Sequence, residues 1–152
     1  MKTSKIREFR NRLRAFERKL WDQLNDQLND ESCSNVSHAQ CHTILALGEQ
    51  GRTTIGELAK SMGLDKSTLS RTIDSLVKKG LVDRVPNPSD RRYTLINLTK
   101  GGESTCKQIN STNDAYFERI FKAIPKGEHD KIIQSFELLV EAMNKKGESR
   151  RI

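Results

Sequence analysis

The chain has little of what several protein classes require. Its three cysteines, Cys33, Cys41 and Cys106, are an odd number with no CxxC pair, which argues against a disulfide framework and for reduced thiols. Apolar residues make up 34% and aromatics 5% of the 152 positions, lean for one self-sufficient core. No apolar run is long enough to span a bilayer. The basic opening MKTSKIREFRNRLRAFERKL lacks the apolar stretch of a secretory leader, so a cytoplasmic protein with no membrane partner is expected. There is no Gly-rich phosphate loop, nucleophile elbow or clear carboxylate pair, so no enzyme and no cofactor is expected. Acid is also the minority charge. Lys and Arg total 27 against 20 Asp and Glu, a net charge of +7, and this balance favours a polyanionic partner.

What is present is periodic. Ile6, Phe9, Leu13, Phe16, Leu20, Leu24 and Leu28 recur at spacings of three and four, predicting a long amphipathic helix with Lys and Arg crowding its other face. Ser37 followed by Gln40, and Thr54 followed by Glu57, are two capping boxes. The first opens a helix that Gly51 stops, and the second opens a short helix with Gly63 beyond its end. Asp65 is placed to cap a further helix carrying Leu69, Ile73, Leu76 and Val77, which Gly80 closes. The pattern then alternates over 81–85 and 93–98, with turn residues at 86–90, predicting a β-hairpin. A helix is expected from residue 100 to Pro125, a last one over 126–145, and a flexible basic tail over 147–152.

On a helical wheel, Ser67, Thr68, Arg71, Ser75 and Lys78 lie opposite the apolar arc of the 66–79 helix, with Ser70 at the margin. Short hydroxyls let a helix sit deep in a major groove, and an arginine can take guanine O6 and N7 bidentately. Lys66 falls in the first turn, where the helix dipole disfavours a cation and a phosphate would offset it. Asp90, Arg91 and Arg92 mark the hairpin tip, where the acid can orient one arginine and leave the other for a minor groove. An ordinary solvated helix face and a charged turn are the bland alternatives. The succession of capped short helix, Gly turn, polar-faced helix and basic hairpin favours double-stranded DNA as partner.

The segments TIGELA (54–59), LDKSTLSR (64–71), LVKKGLVDR (76–84), DRR (90–92) and LTKGG (98–102) resemble the winged helix-turn-helix of the MarR family of transcriptional regulators. The resemblance implies a mainly α fold with a small β-hairpin wing: a winged helix-turn-helix over 36–100 and a helical dimerisation region from 1–35 and 101–146. It implies a homodimer in which Ser67, Thr68, Ser70 and Arg71 face bases and phosphates and Arg92 is the wing arginine, supported by Asp90 and Arg91. Regulators of this type usually repress a nearby promoter at a pseudo-palindromic operator, and some activate. Three sensing modes stay open. One is a small organic effector between the dimer layer and the reading module. A second is a metal at His38 and His42, with Cys41 beside them and Cys33 upstream. A third is oxidation at Cys33. A winged-helix module that binds protein instead of DNA is a further alternative.

Overall fold

A computed structural model describes the backbone at residues 3–29 and 35–148 and side chains at 3–23 and 35–145. The chain divides into two compact units, Met1–Asn110 and Ser111–Ile152. The first holds α1 (Thr3–Asn29), α2 (His38–Gln50), β1 (Thr53–Thr54), α3 (Ile55–Met62), α4 (Lys66–Lys78), β2 (Val82–Pro86), β3 (Thr94–Leu98) and the start of α5 (Lys100–Lys122). The second holds the rest of α5 and α6 (His129–Glu148).

Local chemistry sets the element ends. The Gln40 amide N–H donates to Ser37 Oγ at 3.3 Å, and the Ser37 N–H returns a bond to Gln40 Oε1 at 2.9 Å, so the box that starts α2 is closed. At α3 the Glu57 N–H donates to Thr54 Oγ1 at 3.2 Å and the Thr54 N–H to Glu57 Oε2 at 3.1 Å. The Thr54 N–H first, and then the Thr53 and Thr54 hydroxyls, hold the Glu57 carboxyl below its usual range by donating to it. Gly63 ends α3 at φ 65°, a left-handed conformation that a Cβ would strain.

The core lies where α2, α3, α4 and β3 meet. Ile44, Leu47, Leu58, Leu69, Ile73, Leu76 and Ile96 are each at most 1% exposed. Each such side chain contributes about 1.5–3 kcal/mol by leaving water. Val77, expected within the apolar arc, is exposed at its edge.

The expected hairpin is present as β2 and β3, and β1 adds a third strand to give an antiparallel sheet of order β1-β3-β2. Thr53 pairs with Ile96 and Thr54 with Leu95. Two residues are too few to show a period of two, so β1 has no pattern to read. In the second unit a 3-10 turn at Lys126–Glu128 precedes α6, and His129 Nε2 lies 3.0 Å from the carbonyls of Phe121 and Ile124, satisfying the end of α5. Exposed apolar residues recur along α1 (Ile6, Phe9, Phe16) and, separately, along α6 (Ile133, Phe136, Val140, Met143). Among the described residues no helix is long and apolar enough to cross a membrane. Cys33 lies outside the described residues, and α6 runs to Glu148, two positions into the tail expected from 147.

Candidate nucleic-acid interface

Helix α4 buries Leu69, Ile73 and Leu76 and turns Lys66, Ser67, Thr68, Arg71 and Lys78 outward. Asp65 stands at its N-cap in an extended conformation, φ −77° and ψ 146°, yet its side chain caps no backbone N–H. The carboxylate instead accepts the hydroxyls of Thr68 and Ser67, the latter at 2.7 Å. These bonds, Thr68 first, hold the Asp65 carboxyl below its usual range. With their protons engaged by Asp65, the two exposed hydroxyl oxygens keep lone pairs free to accept. Ser70 is half-buried at the margin, as the wheel has it.

Ser75 departs from the expectation. It is half-buried, and its Oγ accepts from Gln40 Nε2 at 2.8 Å, so the side chain is held toward α2 and leaves the outward set. The wheel places it correctly by angle; what the wheel omits is a buried polar partner 35 positions away.

The wing tip is stiffened by two Asx turns. Asn87 Oδ1 accepts the Ser89 N–H at 2.9 Å, and Asp90 Oδ1 accepts the Arg92 N–H at 3.0 Å. Asp90 then grips the Arg92 guanidinium with both oxygens, Nε to Oδ1 at 3.0 Å and Nη2 to Oδ2 at 2.8 Å. The Asp90 carboxyl is held down, and the Arg92 guanidinium held up, chiefly by this pair. Arg92 is nevertheless 85% exposed, so its remaining donors face outward from a fixed stem, and Arg91 is exposed beside it.

Two contacts tie wing to helix, and neither is visible in the sequence pattern. Arg84 on β2 meets Asp74 on α4 at 2.6 Å across the Gly80 turn. Thr99 Oγ1 donates to the Gly80 carbonyl at 2.7 Å and accepts the Gly102 N–H at 3.0 Å, joining the hairpin base to α5. Opposite charges ten positions apart in a strand and a helix share no period, so only the fold brings Asp74 and Arg84 together.

His38 and His42 do converge. Their Nε2 atoms are 3.1 Å apart, with Trp21 of α1 packed 5.7 Å from the His38 ring. Burial and then the neighbouring His38 lower the His42 pKa. Cys41 is half-buried on the same helix, and among the described residues no group of three or more His, Cys, Asp or Glu is arranged to hold a metal. Beside this pair, a cleft of about 540 Å³ opens between α2 (Ala39, His42, Ala46) and the α3–α4 edge (Met62, Leu64, Thr68, Thr72).

Three helices with a short antiparallel sheet, the last helix polar-faced and followed by a basic two-stranded wing, constitute a winged helix-turn-helix. Residues 36–94 match the MarR family. The chain is 37% identical over 91 residues to the multiple antibiotic resistance protein MarR of Escherichia coli (strain K12), covering 59% of this chain and 63% of that one. It is 31% identical to YxaD, an uncharacterized HTH-type transcriptional regulator of Bacillus subtilis (strain 168), covering 77% of this chain and 79% of the relative. The fold is shared with Streptococcus pneumoniae FabT, crystallised in complex with DNA, at a TM-score of 0.80 and 20% identity over 95% of this chain and 99% of that one. The chain therefore belongs to the MarR family, whose members are DNA-binding transcriptional regulators and not enzymes.

Proposed function

We propose that this chain is a transcriptional repressor that binds a pseudo-palindromic operator as a homodimer, with α4 in the major groove and the wing tip in the adjacent minor groove. The observation that carries the reading is the shared mounting of two cationic readers, Arg71 on α4 and the Asp90-gripped Arg92 on the wing, braced to one another through Asp74 and Arg84. Lys66, Ser67, Thr68, Ser70 and Arg71 meet bases and phosphates, and the free lone pairs of Ser67 and Thr68 accept from the exocyclic amines of cytosine or adenine. Arg91 and Arg92 enter the minor groove, where narrow A·T-rich stretches concentrate negative potential. Ser75 serves α4 from its inner side. The apolar residues exposed on α1 and on α6 support pairing with a second copy, which twofold operators require. The cleft beside Thr68 and Thr72 supports modulation by a small ligand, because an occupant there touches the reading helix itself.

Fluorescence anisotropy of a labelled duplex, selected by the protein from a random pool and titrated across salt concentrations, tests the reading. A steep negative slope of log K against log salt is expected, about 0.9 per phosphate neutralised. A flat response rejects it.

A further inference from the structure

We infer that Gln40, a buried residue on α2 with no place on the outward face of α4, positions the reading helix and thereby sets how sharply the protein discriminates its operator. This rests on the reading of α4 as the groove-entering element.

Gln40 is 7% exposed, and every hydrogen-bonding direction its oxygen offers is used. Oε1 has two lone pairs; one accepts the Ser37 N–H at 2.9 Å and the other the Lys79 ammonium, also at 2.9 Å. Nε2 donates to Ser75 Oγ at 2.8 Å. Lys79 Nζ reaches the Asn35 carbonyl as well, so the ammonium is engaged at the start of α2. One side chain thus closes the cap of α2 and grips the end of α4 at Ser75 and at Lys79, the residue that caps it.

The packing beneath explains why such a grip is needed. Leu69, Ile73 and Leu76 hold α4 to the core through apolar contact, which is not directional and tolerates small rotations and slides at constant burial. Hydrogen bonds are directional. Anchors at Ser75 and Lys79 fix both the rotation of α4 about its axis and its height along α2, and these decide where Arg71 and the Ser67 and Thr68 oxygens fall against base edges.

Two substitutions separate positioning from folding. Gln40→Met keeps length and burial but removes all three bonds. Gln40→Glu keeps both acceptors, and the Ser75 hydroxyl turns to donate. On the selected duplex, Gln40→Met should bind about tenfold more weakly, with random-sequence duplex and the salt slope unchanged because no phosphate contact is lost. Gln40→Glu should restore the ratio of selected to random binding. Ser75→Ala, which leaves the Lys79 anchor in place, should give part of the loss, and the double variant should not exceed Gln40→Met alone. In parallel, hydrogen exchange of the DNA-free protein should quicken over residues 66–79 in Gln40→Met and stay unchanged over the core of α2 and α3. An unchanged ratio with wild-type exchange over 66–79 overturns the inference, as does quickened exchange spread evenly through the core, which marks general loosening. If the wild-type chain selects no duplex, the operator reading falls, while the exchange comparison still decides whether Gln40 registers α4.

Discussion

At the scale of single residues, the proposed reading chemistry rests on two arginines with different surroundings. Arg71 is exposed on α4 with neighbours short enough to let it reach a base edge, so Arg71→Ala should cost about 1–3 kcal/mol and relax preference at one position per half-site. Affinities for a panel of single-base variants of the selected duplex check this. In the proposed reading Arg92 works differently, as a charge on a stem held by Asp90. Arg92→Ala should weaken every duplex alike and reduce the salt slope by about 0.9, and Asp90→Ala should lower affinity while leaving the slope nearly intact, because the charge survives and only its aim is lost. His42 gives a pH signature. Its pKa is lowered from 6.5 in the folded chain, so the unfolded chain takes up the proton first. Stability is then full above the unfolded value, falls as pH drops from there through the lowered folded value, and levels off below it. Urea midpoints measured from pH 7.5 to about 5.5 should decline for the wild type and flatten for His42→Gln.

At the scale of elements, the hairpin base depends on how closely α5 approaches it. A Cβ on Gly102 would sit 2.0 Å from the Leu81 carbonyl oxygen, a backbone atom that cannot step aside, whereas one on Gly101 would meet nothing nearer than 3.6 Å. Gly102→Ala should therefore cost about 1–3 kcal/mol by overpacking, with Gly101→Ala tolerated, and thermal melts of the two variants check the contrast. This asymmetry between adjacent glycines is invisible in LTKGG, where both read as a helix start. What the sequence did make legible is chemistry closed within a few residues: the Ser37–Gln40 and Thr54–Glu57 boxes, the Gly51, Gly63 and Gly80 stops, and the Asx-rich wing turn. Asp65 shows the edge of that legibility. Its position at the cap was readable, but its carboxylate is taken by the Ser67 and Thr68 hydroxyls. The Gln40–Ser75, Gln40–Lys79 and Asp74–Arg84 contacts needed the fold, because polar pairs distant in sequence leave no periodic trace.

At the scale of the whole molecule, the unfinished business is apolar surface. On α6, Ile133 is 49% and Val140 47% exposed, seven positions apart on one stripe, and on α1 Ile6 and Phe9 are 42% and 46% exposed. Scattered exposed apolar residues are ordinary; stripes at helical spacing on two separate helices are what a second copy would cover. If these stripes pair two chains, Ile133→Glu combined with Val140→Glu should reduce the mass in sedimentation equilibrium from twice the 17.3 kDa chain to a single one. The far-ultraviolet dichroism should persist, since the core of Ile44, Leu47, Leu58, Leu69, Ile73, Leu76 and Ile96 contains no α6 residue. Binding to a duplex carrying both half-sites should then fall to the level of a single half-site, because the linkage that makes the second contact intramolecular is gone. A wild-type chain that sediments at 17.3 kDa, or a double variant that keeps twice that mass, removes the homodimer from the proposed function and leaves α4 and the wing to act from a single reading head.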